Sequence, residues 1–63
     1  GGVCTANKDT ALYAMNNPFS DVVGWVDAGR PVMAGSGTNP EMLRVTDEAG
    51  DFLGYVRRAD IDC

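Results

Sequence analysis

Hydrophobic residues in this chain come in short runs, broken by glycine, proline, asparagine or aspartate at intervals of roughly ten positions. No stretch sustains a helical period, and this spacing is the mark of a small all-β sandwich or barrel. Val3–Ala6 reads as a first strand and residues 12–15 as a second short run. Val22–Val26, rich in β-branched and aromatic residues, reads as a third. The irregular loop 16–21 separates the second run from the third. Asp27-Ala28-Gly29-Arg30 then supplies a turn, and residues 31–34 start the next strand with a proline at its first position, where proline is tolerated. Residues 35–40 form the most flexible connection. Met42–Thr46 pairs with 52–56 across a glycine-containing loop, as a hairpin. Residues 57–60 suit a single 3₁₀ turn, and 61–63 close as a last strand beside Val3–Ala6. The expected fold is a small barrel of five or six short antiparallel strands.

A chain of 63 residues is one domain and buries only about 60 % of its unfolded surface, so its core is marginal and benefits from a covalent staple. Its two cysteines, Cys4 and Cys63, sit almost at the two ends. A bridge between them closes nearly the whole chain into a loop, worth about 4 kcal/mol by the chain-entropy argument. That bridge requires adjacent termini and an oxidising compartment, either the periplasm or the extracellular space. The alternative is a pair of free buried thiols in a cytosolic domain. Gly1-Gly2 reads as a tag or linker remnant, and any export signal is expected to have been removed or left out of this sequence.

Nine acidic residues against five basic ones give a net charge of −4, which disfavours a phosphate-rich partner, so no nucleic-acid role is expected. The apolar runs are far shorter than the ~20 residues that span a bilayer, so no membrane insertion is expected. Histidine is absent, which removes imidazole catalysis and the commonest metal ligand. With both thiols tied up and little interior left for a carboxylate cleft, the chain is expected not to be an enzyme and to need no cofactor or metal. Asp47, Glu48 and Asp51 lack the spacing of a calcium loop and read as a solvated turn.

The strand pattern and the single 3₁₀ turn before the last strand describe an SH3-like barrel, and the residues resemble those of bacterial SH3 (SH3b) domains over 12–61. The family's L-x-V-R-x-G-P stands here as Leu12-Tyr13-Ala14-Met15-Asn16-Asn17-Pro18. Its V-I-G-x-L-x-x-G-x-x-V stands as Val22-Val23-Gly24-Trp25-Val26-Asp27-Ala28-Gly29-Arg30-Pro31-Val32. W-x-K-V is matched by Met42-Leu43-Arg44-Val45, and G-W-V-x-x-x-Y-L by Gly54-Tyr55-Val56-Arg57-Arg58-Ala59-Asp60-Ile61. The second and last segments keep the spacing without gaps. Met15, Asn17, Met42 and Asp60 replace residues typical of the family, and these departures bear on its ligand groove rather than its barrel. The resemblance implies an extracytoplasmic, non-catalytic module that binds cell-wall peptidoglycan or a peptide segment, through a groove or an exposed strand edge. A stand-alone secreted effector or inhibitor that docks on a host or competitor protein is the alternative.

Candidate contact residues are Trp25, Tyr13, Phe19, Asn17, Tyr55 and Met42. If Val22, Gly24 and Val26 face inward, alternation turns Trp25 outward as a contact; in the opposite register Trp25 fills the core. Phe19 lies in the loop 16–21 that flanks an SH3-type groove. It is either a contact or a lid, and the roughly 2 kcal/mol gained by burying it favours the lid. Tyr55 takes the place of the family's partly buried tryptophan. Arg57-Arg58 is read either as a site for a partner's carboxylate or as a balance for Asp60 and Asp62.

Overall fold

A computed structural model describes residues 3–63, so the reading of Gly1-Gly2 lies outside the described residues. In chain order these form β1 (Val3–Ala6), β2 (Thr10–Tyr13), β3 (Val22–Val26), β4 (Pro31–Ser36), β5 (Met42–Thr46), β6 (Phe52–Arg57), a 3₁₀ turn (Arg58–Asp60) and β7 (Ile61–Asp62). The strands number seven rather than five or six, because even the two-residue β7 pairs in register with β1, Thr5 against Asp62 and Ala6 against Ile61. All pairings are antiparallel, in the sheet order β3-β2-β6-β5-β4-β1-β7. Seven strands laid flat would span about 29 Å at the usual ~4.8 Å spacing, and the sheet would be thin in one direction. The molecule instead measures 25 × 21 × 21 Å, so the sheet curls into a small barrel. Its hydrogen-bonded ladder leaves β3 and β7 as edges.

Strand alternation builds the core. Cys4 and Ala6 of β1, Leu12 of β2, Val26 of β3, Val32 of β4, Leu43 and Val45 of β5, Val56 of β6 and Ile61 of β7 all point to the inner face. β2 and β6 cross tightly where Tyr13 pairs with Tyr55. A side chain on Gly54 would come within 3.0 Å of the Tyr13 carbonyl oxygen and 3.2 Å of Leu12 Cβ, and its φ of +151° is one that side-chain-bearing residues rarely adopt. Cys4 and Cys63 form a disulfide with their Cα atoms 4.2 Å apart, so the two ends of the barrel meet as expected. Asn7 reinforces that seam, its N–H donating to the Asp60 carbonyl at 2.9 Å and its side-chain amide to the Ala59 carbonyl at 2.9 Å.

Two strand boundaries differ from the sequence reading. β2 begins at Thr10 rather than Leu12, because the Thr10 hydroxyl is buried and donates to Asp60 Oδ2 at 2.8 Å. Ala14 and Met15 belong to the following loop, where the Met15 carbonyl accepts from the Asn17 N–H at 2.7 Å and ends the strand. β4 continues through Gly35 and Ser36, which pair with Arg44 and Leu43, and this shortens the connection that follows.

Two aromatic residues also sit otherwise than the core-filling readings had them. Trp25 is 62 % exposed, because Val26 is the residue that β3 turns inward, and the aliphatic core closes without an indole. Phe19 is 92 % exposed and is not a lid. Its N–H is held by Asn17 Oδ1 at 2.8 Å, and Ser20 Oγ donates to the Asn17 carbonyl at 2.7 Å, so the loop tip folds on itself and holds the ring away from the barrel.

Candidate functional site

β5 pairs with β6 so that Leu43 faces Val56 on the inner face, while Met42 faces Arg57 and Arg44 faces Tyr55 on the outer one. Met42 is nevertheless only 1 % exposed. It is buried outside the main core, beneath the loops and the 3₁₀ turn, as the floor of a groove of about 380 Å³ lined by Pro18, Pro40, Glu41, Arg57, Arg58 and Ala59. The groove lies where three segments converge: the β2–β3 loop, the β4–β5 loop and the 3₁₀ turn.

The two loops reach the groove by the same local device. Each carries an Asn-Pro pair, Asn17-Pro18 and Asn39-Pro40. In each the asparagine Oδ1 accepts from the backbone N–H two residues on, Phe19 at 2.8 Å and Glu41 at 3.1 Å. Such Asx turns, with φ of the proline preset, fix the chain direction without a regular element. They present Pro18 and Pro40 to the groove. The loops are also tied to each other: Asn39 Nδ2 donates to the Asn16 carbonyl at 3.2 Å, and Asn16 Nδ2 meets Thr38 Oγ1 at 3.5 Å.

The two arginines divide their work. Arg58 is structural: Nε donates to the Pro40 carbonyl at 2.6 Å and Nη2 to Ser36 Oγ at 3.0 Å, pinning the β4–β5 loop to the 3₁₀ turn. It does not balance Asp60, whose carboxylate is buried against the Thr10 hydroxyl and pairs with Lys8 Nζ at 3.5 Å. Arg57 carries the groove's available cation. Its guanidinium lies 5.8 Å from the Tyr13 ring centroid. Hydrogen bonding to the Tyr13 phenol, then charge interaction with it, hold the Arg57 pKa above its ordinary value, so the group is a cation at every working pH. Across the groove Glu41 supplies the opposite charge at the rim.

Of the six candidate contact residues, Met42 floors the groove and Asn17 shapes its wall, while Phe19 follows Pro18 in the loop and does not line the groove. Tyr13 and Tyr55 are half-buried and face each other across β2 and β6 on the outer sheet face. There Tyr55 meets the Phe52 ring edge-on at 5.6 Å, and Arg44 lies over Phe52 at 4.6 Å. Trp25 lies on β3, away from the groove. Pro18, Pro40, Glu41 and Ala59 were not foreseen as lining residues. The repeated Asn-Pro pair was the available signal, since two identical turn formers in two loops mark two fixed backbone corners. The acidic loop 47–51 is a turn of its own, with Asp47 Oδ1 accepting from the N–H groups of Ala49 and Asp51, both at 2.9 Å.

No family model, no curated protein sequence and no solved structure matches this chain.

Proposed function

We propose that this protein is a non-catalytic binding module that holds an extended, carboxylate-bearing peptide in the groove over Met42. The observation that carries the reading is the groove itself: an apolar floor, two proline walls set by Asx turns, and an Arg57 cation that makes no close ion pair among the described residues, the Asp60 and Glu41 carboxylates acting on it only from a distance. An apolar side chain of the ligand covers Met42, and a ligand carboxylate reaches Arg57, where a charge-assisted hydrogen bond is worth about 1.5–3 kcal/mol. Rigid walls keep the ordering cost of association low. The Cys4–Cys63 disulfide supports work in an oxidising setting, the periplasm or the outside of the cell. None of the described helices is long and apolar enough to cross a membrane. The ligand chemistry fits either a protein segment of the cell envelope or the stem peptide of peptidoglycan, as the likeness to SH3b domains suggests.

Selection from a displayed peptide library, run beside sedimentation with purified sacculi, tests the reading. We expect ligands rich in acidic residues, whose binding falls about tenfold or more in Arg57→Glu and in Ala59→Arg, with the melting temperature unchanged. Co-sedimentation that these variants abolish identifies the cell wall as the source, and peptide binding without it identifies a protein segment. Binding indifferent to both variants, or no binding in either arm, overturns the groove reading. The 92 % exposure of Phe19 on a pinned tip favours a second reading, a secreted effector or inhibitor that inserts this ring into a protein partner. For that reading Phe19→Ala, not Arg57→Glu, is the damaging change.

A further inference from the structure

β3 is an edge strand, and it has little of the usual protection. Edge strands are ordinarily blunted by lysine, proline, an inward-pointing charge or a β-bulge, and of these β3 has only the bulge. β3 reads Val-Val-Gly-Trp-Val, and Val22, Val23 and Trp25 are exposed at 50 %, 58 % and 62 %. Its one irregularity is a bulge: Leu12 pairs with Gly24 but Tyr13 with Val22, which leaves Val23 as the extra residue. Beyond it, every second residue turns its N–H and C=O away from β2.

Both ends of this edge are negative. Asp21 precedes β3 and Asp27 follows it, and neither carboxylate has a hydrogen-bond or ion-pair partner among the described residues. Between Asp9 and Gly29 there is no lysine, arginine or histidine. Of the flanking cations, Lys8 is engaged by Asp60, and Arg30 lies beyond the turn that follows β3.

We propose that the β3 edge is a second docking site, which adds an extended segment of another protein carrying a basic residue at each end. Charge decides the occupant. A second copy of this chain paired antiparallel about Gly24 would bring Asp21 of one molecule within one position of Asp27 of the other at both ends, and an in-register parallel pair would set Asp21 beside Asp21. Like charges placed directly across a strand pair are destabilising. A strand with Lys or Arg five positions apart instead places a cation against each carboxylate, because the bulge sets the six steps from Asp21 to Asp27 against five of a regular strand. Trp25, next to the centre of the edge, takes a β-branched or aromatic neighbour on its outward face. Main-chain hydrogen bonds supply affinity and the two acidic ends supply direction, which is the logic of strand addition. The proposal is independent of the groove.

Trp25 is the single tryptophan and reports on the site directly. The probe is the peptide Lys-Thr-Val-Thr-Val-Lys, compared with the same peptide flanked by Glu, in low salt. We expect the lysine peptide to shift Trp25 emission to the blue and to perturb the backbone amides of Val22–Val26. It should bind about tenfold or more tightly than the glutamate peptide and weaken as salt rises. The exposed double substitution Asp21→Lys with Asp27→Lys should reverse the preference, while Arg57→Glu should leave it unchanged. Equal affinity for the two peptides, no binding of either at millimolar concentration, amide shifts at Met42 and Arg57 instead of β3, or self-association of the free protein through β3 each overturns the proposal.

Discussion

At the scale of single residues, neighbours in sequence meet opposite fates, and backbone geometry decides between them. Trp25 and Val26 are adjacent on β3, yet Val26 is fully buried while Trp25 faces solvent. Strand alternation made those two outcomes exclusive, and which register held depended on the partner strand, where Leu12 already occupies the space opposite Gly24. Thr10 and Asp60 give the converse case. Both are polar, fifty positions apart, and their buried hydrogen bond exists only once β2 and the 3₁₀ turn have met. Gly54 is the sharpest test of backbone control. Gly54→Ala places a Cβ against the Tyr13 carbonyl at a φ unsuited to a side chain. It should destabilise by about 2–3 kcal/mol, lowering the melting temperature by roughly 10 °C or more in a thermal scan. A melting temperature within ~2 °C of the parent would show that β2 and β6 do not cross as described.

Among the elements, the β5–β6 hairpin was the most legible in sequence, and its bounds differ from expectation by a single residue at Arg57. Local chemistry is sufficient there. Asp47 gathers the N–H groups of Ala49 and Asp51, Gly50 adopts the φ of +92° that closes the turn, and alternating residues on both strands share one inner face. Asp47→Ala removes both acceptor contacts and should cost about 1–2 kcal/mol. Asp47→Asn retains an acceptor oxygen and should recover most of that loss, as read from urea midpoints. The β2–β3 loop was the least legible. Phe19 has the composition of a lid, but Asn17 and Ser20 spend the local hydrogen bonds on a tight tip, and that tip points the ring outward.

For the whole molecule, the two ends carry a large share of the stability. The disulfide spans 59 positions, and closing so long a loop contributes about 4 kcal/mol, against the roughly 3–9 kcal/mol of total stability typical of a domain this size. Reduction should therefore lower the urea midpoint sharply and raise the m-value, since the unfolded chain expands once it is uncrosslinked. Equal midpoints in the oxidised and reduced proteins would mean that the β1–β7 seam, with Asn7 bridging to Ala59 and Asp60, holds the ends without the bond.

The all-strand class, the hairpin, the 3₁₀ turn and the meeting of the termini were determined by the sequence alone, because each follows from short-range spacing, turn chemistry or the positions of two cysteines. The groove was decided by tertiary structure. Its walls come from residues 18, 40 and 57–59, and no local pattern records that two Asn-Pro corners will face each other across Met42. The same holds for the open edge of β3, since a strand's own residues do not say which neighbour it will lack. Short-range forces choose an element's conformation, whereas the relative placement of elements depends on the packing of all of them at once.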